Sequence, residues 1–163
     1  MFSKNFRHVF VMPFILISLV FGSCITNSEE RIPEFRLETG ISFGMCVGYC
    51  KRAIQIEGKT ATIIVESWRP KDYPTQKQTF TLTDAEYDSL LTLLDVTDMS
   101  GLEEVIGCPD CADGGAEWLA IEKDGKENRS KFNYGADIPD ISSIMNFLRP
   151  IRQRAEEMIL PVQ

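Results

Sequence analysis

Four cysteines stand in two close pairs, Cys46 with Cys50 and Cys108 with Cys111, and their type and spacing make them the first candidates for chemistry. Such spacings serve three ends: structural disulfides, thiol–disulfide exchange at C-x-x-C, and a four-thiolate zinc site. Loop entropy assigns about 2 kcal/mol to a local Cys46–Cys50 bond and about 4 kcal/mol to a bond joining the two segments. Geometry decides more. Residues four apart on an extended strand sit about 13 Å apart, whereas a disulfide needs Cα atoms about 4.4–6.8 Å apart. A local Cys46–Cys50 bond therefore requires a bend, which Gly48 can supply because it tolerates positive φ. Pro109 and Asp110 place turn residues inside the second pair. Two local disulfides are the favoured expectation, and a bond between the segments is the alternative pairing. Dithiol exchange needs a helix opening at the motif, and Ala112-Asp113-Gly114-Gly115 is a poor helix start. Zinc needs free thiolates, which an oxidising compartment disfavours.

Other chemistry is thinner. The only histidine, His8, lies in a leader expected to be removed. Without imidazole, Ser–His and Cys–His nucleophiles and histidine-ligated metals are excluded from the mature chain. No catalytic residue, metal ligand or cofactor is assigned. Asp110, Asp113 and Glu117 could offer oxygens to calcium, but a solvated acidic turn is the preferred reading. Trp68 and Trp118 are expected in the core or on a sheet face rather than as sugar platforms. Arg69, Lys71 and Tyr73, within Arg69-Pro70-Lys71-Asp72-Tyr73-Pro74, form a candidate binding loop, since exposed loops often carry function.

The elements that must position these residues follow from periodicity. Phe35, Leu37, Thr39, Ile41 and Phe43 alternate with polar or small residues, which predicts a strand. Ala53–Glu57 and Thr60–Trp68 flank Gly58-Lys59 as a hairpin, and Gln78–Leu82 can add a fourth strand. Thr83-Asp84-Ala85-Glu86 is a capping box, so a helix is expected over 84–95. Residues 96–115 read as irregular. Glu117–Lys123 and Glu127–Tyr134 form a hairpin across Asp124-Gly125. A last helix starts near Asp140, and Pro150 should kink or split it. The expected fold is α+β: an antiparallel sheet of about six strands with two helices packed on one face, in a single domain over 35–160.

The N-terminal segment bears on address. Lys4 and Arg7 precede an almost wholly apolar run, Val9 to Phe21, too short to cross about 30 Å of hydrocarbon. Residues 1–23 therefore read as a signal peptide. Phe21-Gly22-Ser23-Cys24 resembles a lipobox, which implies cleavage before Cys24, lipidation of its thiol and a membrane partner through that lipid. Residues 24–34 read as a polar tether. Ile25 is not the aspartate that retains some lipoproteins at the inner membrane. Glu29 and Glu30 resemble the acidic flags of surface-exported lipoproteins, so an outer-membrane location is expected. Loss of Lys4 and Arg7 takes the formal charge from −7 to −9, that is −7 − 2. So acidic a domain repels phosphate backbones, and nucleic acid is not an expected partner.

Gly44-Met45-Cys46-Val47-Gly48-Tyr49-Cys50 with its following strand resembles a family of uncharacterised secreted bacterial domains that carry G-x-C-x-G-x-C-P before a strand. Lys51 stands where that family often has proline. The resemblance covers about a third of the chain and implies a location without an activity. The leading functional expectation is a non-enzymatic binding or inhibitor-like module of the cell envelope, whose ligand is an envelope protein, a glycan or a small molecule. A thiol–disulfide oxidoreductase using Cys108 and Cys111 is the enzymatic alternative, and an envelope scaffold is the structural one.

Overall fold

Alternation of side chains organises the central strand, β1 (Phe35–Ser42), which sends Leu37, Thr39 and Ile41 to one face and Arg36, Glu38 and Gly40 to the other. The computed structural model describes residues 35–160. The expected signal peptide 1–23 and tether 24–34, with Cys24, lie outside the described residues. β1 pairs antiparallel with β2 (Lys51–Glu57), which continues as a meander through β3 (Thr60–Glu66) and β4 (Gln76–Thr81). The chain then forms α1 (Asp84–Val96) and reaches the far edge as β5 (Val105–Ile106). β6 (Ala116–Lys123) returns beside β1, and β7 (Lys126–Asn133) lies between β6 and β5. The sheet order is β4-β3-β2-β1-β6-β7-β5, followed by α2 (Ser142–Ile159).

The α+β class holds, with a correction to the sheet. It has seven strands rather than six, and it is mixed, because β5 runs parallel to β7 through Val105–Lys131 and Ile106–Phe132. Two residues are too few to show a period-two pattern, and their partners lie 26 residues further along the chain, so the segment reads as irregular from sequence.

The first helix begins as its capping box dictates. Thr83 Oγ1 accepts from the Glu86 amide at 3.2 Å, and Glu86 Oε2 accepts from the Thr83 amide at 2.9 Å. The β6–β7 turn places Asp124 and Gly125 at φ 54° and 75°, the left-handed pair that suits a two-residue hairpin. Of the two expectations for Pro150, the split is corrected: the last helix runs as one element from Ser142 to Ile159 through Pro150, after a 3-10 turn at Pro139–Ile141. Its buried stripe, Ile144, Met145, Leu148, Ile151 and Ala155, continues on both sides of the proline. Burying that stripe outweighs the one hydrogen bond that Pro150 removes.

Both helices bury their apolar faces in the same core. Tyr87 and Leu90 of α1 and the α2 stripe pack with Leu37, Ile54, Ile56, Ile63, Leu119 and Phe132. The strand registers put those six sheet residues on one face. On the other face Trp118 lies across Gly40, where an added Cβ would run into the indole ring and the Arg52 carbonyl oxygen. Gly40 is thus required by close approach.

Candidate functional site

Five residues, Glu66, Lys51, Ser42, Ala116 and Asn133, line up across neighbouring strands at one end of the sheet. The segments 43–50, 67–75, 107–115 and 134–138 all adjoin this end. The other end carries Phe35 and the turns at 58–59 and 124–125. Both cysteine pairs and the Arg69–Tyr73 loop therefore share the loop end.

The cysteines come together in the two local pairs, each at disulfide distance, with Cα separations of 5.6 Å for Cys46–Cys50 and 5.5 Å for Cys108–Cys111. Gly48 takes φ 95° and supplies the bend that the first pair needs. The second pair sits in a tighter loop in which three non-glycine residues, Asp110, Ala112 and Asp113, take φ of 67°, 50° and 58°. Only a three-residue 3-10 turn follows Cys108, so no helix N-terminus faces its sulfur. Asp110 and Glu117 do not converge on a common point. Asp110 Oδ2 accepts from Lys131 Nζ at 2.9 Å, and Glu117 pairs elsewhere. Among the described residues, no cluster of three or more Cys, His, Asp or Glu side chains is arranged to hold a metal.

The loops interlock through aromatic residues. The Trp68 indole donates to the Phe43 carbonyl at 2.8 Å, and the Tyr49 hydroxyl donates to the Pro74 carbonyl at 3.1 Å. Tyr49 meets Tyr73 edge-on at 6.0 Å, and Phe43 meets Tyr134 at 5.0 Å. Trp68 is a correction: it stands 55% exposed on this loop, whereas Trp118 occupies a sheet face as expected. Its residue continues the alternation of β3, but pairing ends at Glu66 and the chain turns away.

Between these loops and α2 lies a cleft of about 430 Å³. Its floor is Glu117, which sequence reasoning had placed in a solvated turn and which is in fact fully buried. Arg149 meets it through Nη2 at 2.9 Å and Nε at 3.2 Å, and Arg152 Nη2 meets its other oxygen at 2.8 Å. Burial is the largest single influence on the Glu117 carboxyl and would raise its pKa. The hydrogen bonds and charges of Arg149 and Arg152 together outweigh it and hold the group below the ordinary carboxylate value. Arg149 is correspondingly raised, first by its hydrogen bond to Glu117. Arg152 Nη1 also donates to Thr39 Oγ1 at 3.3 Å, and Thr39 donates to the Trp118 carbonyl at 2.9 Å. A second carboxylate, Glu156, accepts from Arg52 Nη1 at 2.9 Å. Arg52 spends Nε on the Tyr49 carbonyl at 3.1 Å.

The chain matches no protein-family model, and the comparison with curated proteins finds no match either. The functional reading therefore rests on the site itself.

The candidate loop of the sequence analysis and the cleft are neighbours, not one site. Arg69 pairs with Asp72 at 2.5 Å on the surface, Lys71 is exposed, and neither these nor Tyr73 line the cleft. Of the charged residues that line it, only Glu117 is a candidate from the sequence, and in another role, although a signal for the cluster exists. Glu117 alternates with Leu119 and Ile121, which puts a carboxylate on the core face. Arg152 lies between Leu148 and Ala155 on the buried stripe of α2. An ionised group on a buried face demands a partner.

Proposed function

We propose that this protein is a lipid-anchored, non-enzymatic binding module of the bacterial cell envelope, held by Cys24 and acting through the cleft at the loop end. The carrying observation is the cleft itself: about 430 Å³, within the range of small-ligand sites, with convergent polar groups and an aromatic wall of Phe43 and Tyr134. Its location suits a tethered binder. Phe35, where a tether would join, is at the opposite end of β1, about 23 Å away by strand rise. The signal segment, the lipobox-like Phe21-Gly22-Ser23-Cys24 and Glu29-Glu30 support an outer-membrane address, with attachment by more than one acyl chain, since one alone holds only marginally.

Two experiments in bacterial cells test this reading. Alkyne-palmitate labelling should mark the wild type and be lost in Cys24→Ser; label persisting in that variant sinks the anchor. A photo-crosslinking residue in place of Tyr134 should give an adduct with an envelope molecule, while the same group in place of Lys126, at the far end, gives none. Equal labelling from both positions contradicts the cleft as the binding site.

A further inference from the structure

The cleft sorts its charges by depth. Its two carboxylates are turned inward: the Glu117 side chain is 0% exposed and that of Glu156 15%. Two of its three guanidiniums reach the mouth, Arg52 at 30% and Arg149 at 26%, while Arg152 stays inside. The charges sum to 3 − 2 = +1, in a chain whose formal charge is −7. An approaching molecule therefore meets cations at the mouth, backed by buried anions that hold them in place.

The donors at the mouth are not equally free. Arg149 uses Nε, Nη1 and Nη2 on Glu117, Asn146 and the Ala136 carbonyl. The Gly135 amide is taken up by Glu117. Arg52 uses only Nε and Nη1, so its Nη2 makes no hydrogen bond among the described residues. The same cleft is lined by the Phe43–Tyr134 pair, with Tyr134 half exposed.

Building on the cleft as the binding site, we propose that it takes a small ligand carrying one carboxylate and a flat apolar group, with Arg52 receiving the carboxylate and Tyr134 the apolar group. A single excess positive charge and the one free nitrogen of Arg52, Nη2, match a monoanion rather than a dianion. A phosphate dianion asks for more donors than the mouth offers, because the nearby amide and Arg149 are engaged by Glu117.

The test titrates the full chain, purified in detergent, with three probes: N-acetyl-phenylalanine, its neutral amide N-acetyl-phenylalaninamide, and inorganic phosphate. Arginine Nε resonances report the site. The acid should move the Arg52 signal saturably and bind at least tenfold more tightly than either the amide or phosphate. Arg52→Gln should abolish the preference, bringing the acid to the amide's affinity. Tyr134→Ala, at a half-exposed position that spares the core, should weaken acid and amide by the same factor. Equal binding of acid and amide overturns the carboxylate assignment, yet leaves the cleft as a binding site. Tighter binding of phosphate overturns it in favour of a tetrahedral anion. If no probe moves Arg52 or Arg149, this inference fails, whereas the cleft as a site stands or falls separately by the Tyr134 and Lys126 crosslinks.

Discussion

The two faces of the β1–β6 strand pair each hold a glutamate among donors, one fully buried and one partly exposed, and they do so differently. On the helix-covered face, Glu117 is fully buried between two guanidiniums from α2. On the open face, Glu38 accepts from the Trp118 indole at 2.8 Å and the Gln55 amide at 2.9 Å, with Arg129 more distant at 3.4 Å. For both, burial is the largest influence and raises the pKa, and for both the partners win and leave it lowered. The partners differ in kind. Glu117 is held by full charges on a separate element, so it fixes where α2 sits and which cations face the cleft. Glu38 is held mainly by neutral donors within the sheet, and Arg129 stacks over the indole at 5.7 Å, so it seals the Trp118 face locally. A buried carboxylate thus acts at long range only where its counter-charge belongs to another element.

Breaking each glutamate separates the two roles. Glu117→Ala takes from buried Arg152 its closest partner, leaving only the more distant Glu156 at 3.7 Å, and should cost about 3–5 kcal/mol by urea unfolding. Glu38→Ala orphans the indole and amide donors and should cost about 1–3 kcal/mol. A reversed order would mean that α2 is held by its apolar stripe alone. Gly40→Ala forces the Trp118 ring away from the strand and should cost about 1–3 kcal/mol as an overpacked contact.

Acid titration sharpens the same contrast. A carboxyl with a lowered folded pKa contributes stability that is complete above its unfolded value and is lost as pH falls through the folded one. Stability should therefore hold above the ordinary glutamate value of 4.5 and decline below it. Glu117→Ala should flatten that decline more than Glu38→Ala does. An unchanged acid slope in both variants would refute the account of the two carboxyls. The smallest effect is expected outside both networks: Arg69→Ala, at an exposed surface pair, should leave the unfolding midpoint unchanged.

Much of the scaffold was legible because its signals are local. The capping box at Thr83–Glu86, the Asp124-Gly125 turn and the alternation of β1 each specify an element within a few residues. The Gly48 bend was likewise readable from the cysteine spacing. What escaped depends on distant partners. β5 exists only through β7, and Pro150 is tolerated only because α2 has a sheet to pack against. The cleft is the extreme case. Arg52, Glu117 and Arg152 come from two strands and a helix, and Glu117 and Arg152 are 35 residues apart. Alternation could mark Glu117 as inward, but it could not name the cation that makes this tolerable.

The central claim is that the cleft at the loop end is where this protein meets its ligand. Arginine side chains give a direct readout, because Arg52 and Arg149 report the cleft while Arg36 and Arg129 report the open face. Their Nε resonances should be followed while a fractionated envelope extract is added to the labelled full chain. The account predicts saturable shifts at Arg52 and Arg149 with Arg36 and Arg129 unmoved. Shifts confined to Arg36 and Arg129, or no shift at any of the four, would contradict it.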